Sequence, residues 1–303
     1  MKSLKLVVGA ALVLGSLMIG VAQASATATA NVSSSNRQTC TGTLASPGLL
    51  SGTYSGDVTV TGYCVVDGGP TLVRGDLRLA AGSALNATYA LNDVSHSGTT
   101  SLTVKGDITV ASGATLAIGC EPNASPCSDD PAAGTGGTLT GQNEVSSDII
   151  ATGALAVIIH ASYIKGDVRQ TGGGGGLSCA PPTSGVFSLL QSPVFSNYED
   201  DTISGDLEVT GLKSCWFGAL RNLVRGDFTY SNNTFGDPDA SEVLDNAVSG
   251  DLSCSADSPA VQYGDSESSP NRVSGDASGE CSLTAEAPNP APSGPLAHIT
   301  VRK

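Results

Sequence analysis

A five-residue phrase returns along the chain: an apolar or aromatic residue, then Ser, Arg or Lys, then Gly-Asp, then another apolar residue. It occurs at Tyr54–Val58, Val73–Leu77, Val104–Ile108, Ile164–Val168, Ile203–Leu207, Val224–Phe228 and Val248–Leu252, with a weaker copy at Val273–Ala277. Its glycines, at 56, 75, 106, 166, 205, 226, 250 and 275, are separated by 19, 31, 60, 39, 21, 24 and 25 residues. Recurrence at roughly 20–50 residues marks a stacked-repeat architecture, because a single unit cannot bury its own apolar face. The uneven spacing implies insertions at one corner of each unit. The gap of 60 implies one or two degenerate units inside it.

Within each unit polar and apolar residues alternate. In Val73–Leu79, positions 73, 75, 77 and 79 share one face, while Arg74, Asp76 and Arg78 share the other. Residues 105–110 and 204–209 keep the same parity, and period two with β-branched enrichment reads as strand. The glycine falls on the inward face, where it would allow a bend or bulge at a corner. No stretch carries the spacing and caps of a convincing helix. A second column stands four residues before the glycines: Asn222, Asn246 and Asn271, with Asp201, Ser162 and Thr71 at equivalent places and Leu102 breaking it. Asn amides stacked in this way bond along the axis of the stack.

Register would bring Asp57, Asp76, Asp107, Asp167, Asp206, Asp227, Asp251 and Asp276 into one file, with neighbours about 5 Å apart. Two like charges at about 4 Å repel by about 1 kcal/mol even in water, so something must offset them. One answer is that each Asp caps backbone amides at its corner, helped by Arg74, Lys105, Lys165 and Arg225 two positions earlier. The other is calcium, a cation of flexible oxygen coordination, on Asp76, Asp107, Asp206, Asp227 and Asp251. No other cofactor is implied. Arg74-Gly75-Asp76 and Arg225-Gly226-Asp227 spell an integrin-read tripeptide, but both are variants of the repeat and sit in strands.

The net charge of −14 disfavours nucleic acid and anionic membranes, which call for basic patches. Residues 1–26 read as a signal peptide: Lys2 and Lys5, an apolar run over 6–21, then small residues suited to cleavage. No later stretch is long enough to span a bilayer. An even count of eight cysteines in an exported chain favours disulfides. Sequence leaves the pairing open, and neighbours along the chain are the simplest set: Cys40–Cys64, Cys120–Cys127, Cys179–Cys215 and Cys254–Cys281. Residues 27–39 read as a disordered lead, and the Pro-rich 284–303 as an extended tail.

Excursions are expected near 119–147 and 170–200, the second containing the five glycines 172–176. No phosphate-loop continuation follows those glycines. His160 has no partner visible for acid–base work. Residues 195–235 hold Phe195, Tyr198, Trp216, Phe217, Phe228, Tyr230 and Phe235: a core stack, or the best place for a sugar contact. Thr59, Thr61, Thr103 and Thr109 do not recur at one position, which weakens an ice-binding reading.

This repeat style resembles the parallel β-helix proteins and, more loosely, the bactofilins, bacterial polymer-forming β-helical scaffolds. The resemblance covers roughly 50–281, carries no catalytic motif, and implies an all-β, single-stranded right-handed parallel β-helix. The expectation is one disulfide-stapled solenoid over 40–283, extracellular or at the cell surface. Its role would be structural or adhesive, with polysaccharide or cell-envelope partners. The alternative is a polysaccharide lyase or hydrolase using faces such as Arg74/Asp76/Arg78 and Lys165/Asp167/Arg169.

Overall fold

The computed structural model describes residues 37–88, 100–119, 143–264 and 269–286. The signal-peptide reading, most of the lead, the Cys120–Cys127 pair, the larger part of the 119–147 excursion and most of the tail lie outside the described residues. Within them the chain is all-β with long parallel sheets, as the alternation implies. Successive repeat units contribute strands to three ladders in fixed rotation, except that the unit of Leu252–Ser255 has no far-ladder strand among the described residues. Strands that follow the Asp form the leading ladder, ten strands in chain order from Gln38–Cys40 and Val58–Val60 to Leu252–Ser255 and Ala277–Gly279. A far ladder follows, including Ala84–Ala87, Thr115–Gly119, Ala156–His160, Phe195–Glu199, Trp216–Leu220 and Glu242–Leu244. A closing ladder, from Ser101–Val104 to Arg272–Val273, returns the chain to the next corner. The eleven-residue strand Tyr63–Val73 joins the far and closing ladders into one sheet, because its two halves pair with different strands.

The core follows from parity. Val58, Leu77, Ile108, Ile149, Val168, Leu207, Phe228 and Leu252 stand in register in the leading ladder, each fully or almost fully buried. Along the chain the core residues grow, from Val, Leu and Ile to Tyr198, Phe217, Tyr230 and Phe235. Phe217 lies 5.1 Å from Tyr230 and 5.8 Å from Tyr198, ring centre to ring centre. Burying a large side chain of this kind stabilises by about 1.5–3 kcal/mol.

One unit, not two, fills the 60-residue gap. Its corner is Ser146-Ser147-Asp148, and Ile149 pairs with Ile108 on one side and Val168 on the other. The excursion near 119–147 therefore ends before Asn143. A five-residue helix, Val186–Leu190, appears where no helical signal was legible; it is held by tertiary packing of Phe187 on Ala156 and Ile158. Residues 280–283 form a 3-10 turn. Disulfides join Cys40 to Cys64, Cys179 to Cys215 and Cys254 to Cys281, with Cα atoms 6.4, 4.9 and 5.2 Å apart. Such bonds are consistent with an extracellular location. Among the described residues no helix is long and apolar enough to cross a membrane.

Candidate functional site

The corner is where sequence and geometry meet most tightly. Each Asp carboxylate accepts, through Oδ1, the backbone N–H of the Asp in the next unit. The links run Asp57 to Asp76 (3.1 Å), Asp76 to Asp107 (3.1 Å), Asp107 to Asp148 (3.2 Å) and Asp148 to Asp167 (2.8 Å). They continue from Asp167 through Asp206, Asp227 and Asp251 to Asp276 at 2.8–2.9 Å. The file has no break, because Asp148 supplies the member that a search for Gly-Asp passes over. Each Asp thus caps the following unit rather than its own corner.

The glycine has a different purpose from the bend expected of it. None of the repeat glycines from 75 to 275 has a positive φ. A Cβ on Gly75, Gly106, Gly166, Gly205, Gly226, Gly250 or Gly275 would instead fall onto Oδ1 of the preceding Asp and onto the backbone beside it. Glycine leaves the carboxylate its room. Where Ser147 replaces it, the Asp107–Asp148 link is the longest of the file.

Charge compensation comes from two residues after the Asp, not two before. Arg78 bridges Asp57 and Asp76 at 2.5 Å each, holding the Asp57 carboxyl below its usual range. Arg169 pairs with Asp167 at 2.6 Å. Lys165 and Lys105 instead clamp Glu144, at 2.8 and 3.0 Å, and lower its carboxyl to about 2. Arg74 and Arg225 make no ion pair among the described residues. From Asp206 onward the file has no basic partner among them either.

Beside the Asp file, on the same outward face, runs a row of hydroxyls. Thr152, Thr171, Thr210, Ser231 and Ser255 are register partners in five consecutive units, four residues after each Asp. Thr229, Ser253 and Ser278 form a shorter row between the two files. Sequence reading missed the longer row because it compared Thr59, Thr61, Thr103 and Thr109. Counting from each Asp, with Asp148 included, would have found it.

The other candidates separate cleanly. Of the aromatic group, Tyr198, Phe217, Phe228, Tyr230 and Phe235 are buried core and cannot meet a sugar. Only Phe195 and Trp216 lie on the outward side of the far ladder, 6.2 Å apart, and the Trp216 Nε1–H donates to Glu242 at 3.3 Å. Glu199 nearby is held by Arg221 at 2.9 Å and by the Asn197 amide. His160 is buried, which lowers its pKa. Gly75 and Gly226 of the two Arg-Gly-Asp triplets are packed against the preceding unit, so neither triplet is a displayed loop. A cavity of about 270 Å³ lies between Leu44, Tyr63, Gly82 and Val186, with Tyr63 its one ionisable group.

Calcium ligation by Asp76, Asp107, Asp206, Asp227 and Asp251 would have to draw on carboxylates whose Oδ1 is already bonded to backbone. Among the described residues, the one group of three ligand atoms mutually within 4.8 Å is Cys179, Cys215 and Asp237, and its two sulfurs form a disulfide. No protein family, curated protein or solved structure matches this chain.

Proposed function

We propose that the chain is a secreted, right-handed parallel β-helix with a structural or adhesive role at the cell surface. The rotation through three parallel ladders supports a solenoid, and parallel crossovers are right-handed in about 98% of cases. The observation that carries the functional reading is the unbroken outward face of the leading ladder. Its carboxylates are committed to the backbone, and its hydroxyl row continues through five units. Such a face is a regular contact surface, suited to the repeating hydroxyls of a polysaccharide or cell-envelope polymer.

The enzyme alternative rests on Arg74/Asp76/Arg78 and Lys165/Asp167/Arg169, where Asp76 and Asp167 are bonded to the next unit's backbone and paired with Arg78 and Arg169. The other carboxylates to weigh are Glu199 and Glu242, near Trp216. Glu242 is fully buried and Glu199 is held by Arg221 and Asn197, so neither offers an open carboxylate to a chain on the surface.

The test is co-sedimentation of the oxidised protein with insoluble polysaccharides and envelope preparations, with new reducing ends followed in parallel. Retention on a polymer without product, weakened in Thr171→Lys/Thr210→Lys, is the expected result. Turnover on any polymer would replace the adhesive reading with the enzymatic one. Retention untouched by the double variant would move the contact off this face.

A further inference from the structure

Two columns of the stack contain aspartates at asparagine positions, Asp201 fully buried and Asp257 half-buried. In the longer column each Asn works twice. Its Oδ1 accepts an N–H from the preceding unit: Asn143 from Leu102 (2.6 Å), Asn222 from Asp201 (3.0 Å), Asn246 from Asn222 (3.0 Å) and Asn271 from Asn246 (3.0 Å). Its Nδ2 donates to a far-ladder carbonyl, those of Ala87, Tyr198, Ala219 and Val243 respectively, at 2.7–3.1 Å. Tyr198, Ala219 and Val243 are register partners, and the preceding partner in that row is Ile159.

Asp201 stands in this column between Ser162 and Asn222. Its Oδ1 accepts the Ser162 N–H at 2.9 Å, as an Asn would. Its Oδ2, fully enclosed, has no hydrogen-bond partner. Register puts that oxygen where its neighbours place an Nδ2–H, opposite the Ile159 carbonyl. A carboxylate there would set a negative oxygen against a carbonyl oxygen, whereas a carboxylic acid would donate to it.

The same substitution occurs at the other corner. Asn233 accepts the Leu212 N–H through Oδ1 (2.9 Å) and donates through Nδ2 to the Val209 carbonyl (3.2 Å). Asp257 takes the next place, accepting from the Asn233 backbone and side chain at 2.8 and 2.9 Å. Its Oδ2 is likewise buried without a partner. The carbonyl one register step on from Val209 is that of Tyr230.

We propose that Asp201 and Asp257 stand in the stack as neutral carboxylic acids, each completing an asparagine column by donating from Oδ2 to the carbonyls of Ile159 and Tyr230. Loss of the Asp257 proton then loosens the C-terminal units. The surroundings of both groups favour the acid. Asp201 faces Asp200 and Glu199 on its own segment, Tyr198 on the adjoining strand, and Asn222 and Ser162 along the column; Arg221 spends its charge on Glu199 and Asp200. Asp257 faces Glu280, Tyr230 and Asn233, and Glu280 also accepts the Asp257 and Val261 N–H groups. Burial pushes the Asp201 carboxyl well up, and burial with the Glu280 charge raises Asp257 to about 7.

For a carboxyl whose folded value is raised, stability is greatest below the unfolded value near 3.8 and is lost as pH rises through the folded one. The experiment is thermal unfolding of the oxidised full chain, as wild type, Asp201→Asn, Asp257→Asn and Asp257→Leu, from pH 5 to pH 9. Infrared detection of protonated carboxyl at pH 7 accompanies it. The wild-type midpoint should fall by about 10 °C between pH 5 and pH 8, with both carboxyls contributing. Asp257→Asn should lessen that fall without abolishing it, because Asp201 still contributes. Asp201→Asn should melt above wild type throughout, by a margin that widens with pH, while Asp257→Leu, which cannot donate, should melt below Asp257→Asn at every pH. The protonated-carboxyl band should be present in wild type and reduced in Asp201→Asn. A wild type without that band, or Asn variants that melt below wild type at pH 8, would overturn the proposal. The band reads on wild type alone, so the idea stands exposed even if a variant fails to fold.

Discussion

The exposed corner file and the buried asparagine column solve one problem with different chemistry. In both, a side-chain oxygen accepts a backbone N–H from a neighbouring unit at about the same distance. The corner uses carboxylates and bonds toward the following unit, whereas the column uses amides and bonds toward the preceding one. Water explains the choice. At the corner, solvent screens the repulsion along a row of ionised Asp, and in the first units Arg78 and Arg169 add to it. Inside, an unpaired charge costs several kcal/mol, so a neutral group that both accepts and donates is preferred. The corner file alone ties each interior unit to both neighbours, and the column adds bonds of the opposite sense where it has Asn or Asp.

The largest effect that tests this contrast is in the column. Asn246→Leu, which keeps the branching at Cγ, leaves the Asn222 N–H and the Ala219 carbonyl without their buried partners. We expect a loss of about 3 kcal/mol in chemical denaturation. Asp227→Ala at the corner removes the same kind of acceptor where water can replace it, and should cost about 1 kcal/mol. Equal losses would dissolve the distinction between screened and buried files.

Next comes the crowding of the corner. Gly205→Ala places a methyl on the Asp167 carboxylate and the Gly166 backbone. Its expected cost is about 2 kcal/mol, from overpacking alone, since the backbone φ is not left-handed. A neutral Gly205→Ala would return the glycine to the bend-forming part that the sequence suggests for it.

What the sequence made legible is whatever depends on parity. Alternation assigns Val73, Leu77 and Leu79 inward and Arg74, Asp76 and Arg78 outward, and from that an all-β chain of parallel ladders follows. Contacts between units were harder to read. Ser147 and Asn143 are hidden because the glycine that flags every other corner is absent there. The clash that Gly75 avoids involves Asp57, eighteen residues earlier, and no local pattern displays it. The cations were assigned to the wrong side of each Asp because parity allows both Arg74 and Arg78, and only geometry shows which side chain reaches across two units. The split of 195–235 into buried rings and the half-buried, outward Phe195–Trp216 pair has the same cause: inward and outward aromatics look alike until the strands are registered.

The smallest effect concerns charge, and it sharpens the contrast between early and late units of the file. Lys165 and Lys105 hold the Glu144 carboxyl at about 2, so its stabilising pairs are fully formed above the ordinary value of 4.5 and are lost as pH falls through about 2. These pairs are largely exposed, and solvent limits such bridges to about 0.5 kcal/mol. Glu144→Gln should therefore lower the melting midpoint by about 1–2 °C at pH 7 in low salt and leave it unchanged near pH 2. Added salt should erase the difference at pH 7, since screening acts on the same pairs. The late units, whose Asp227, Asp251 and Asp276 have no basic partner among the described residues, should respond to salt with the opposite sign. There screening removes repulsion, so wild-type amides in Leu252–Ser255 should exchange more slowly with hydrogen isotope as salt rises, while those beside Glu144 exchange faster. A uniform response along the chain would mean that Arg78, Arg169 and the Lys105–Glu144–Lys165 clamp do not divide the file into compensated and uncompensated parts.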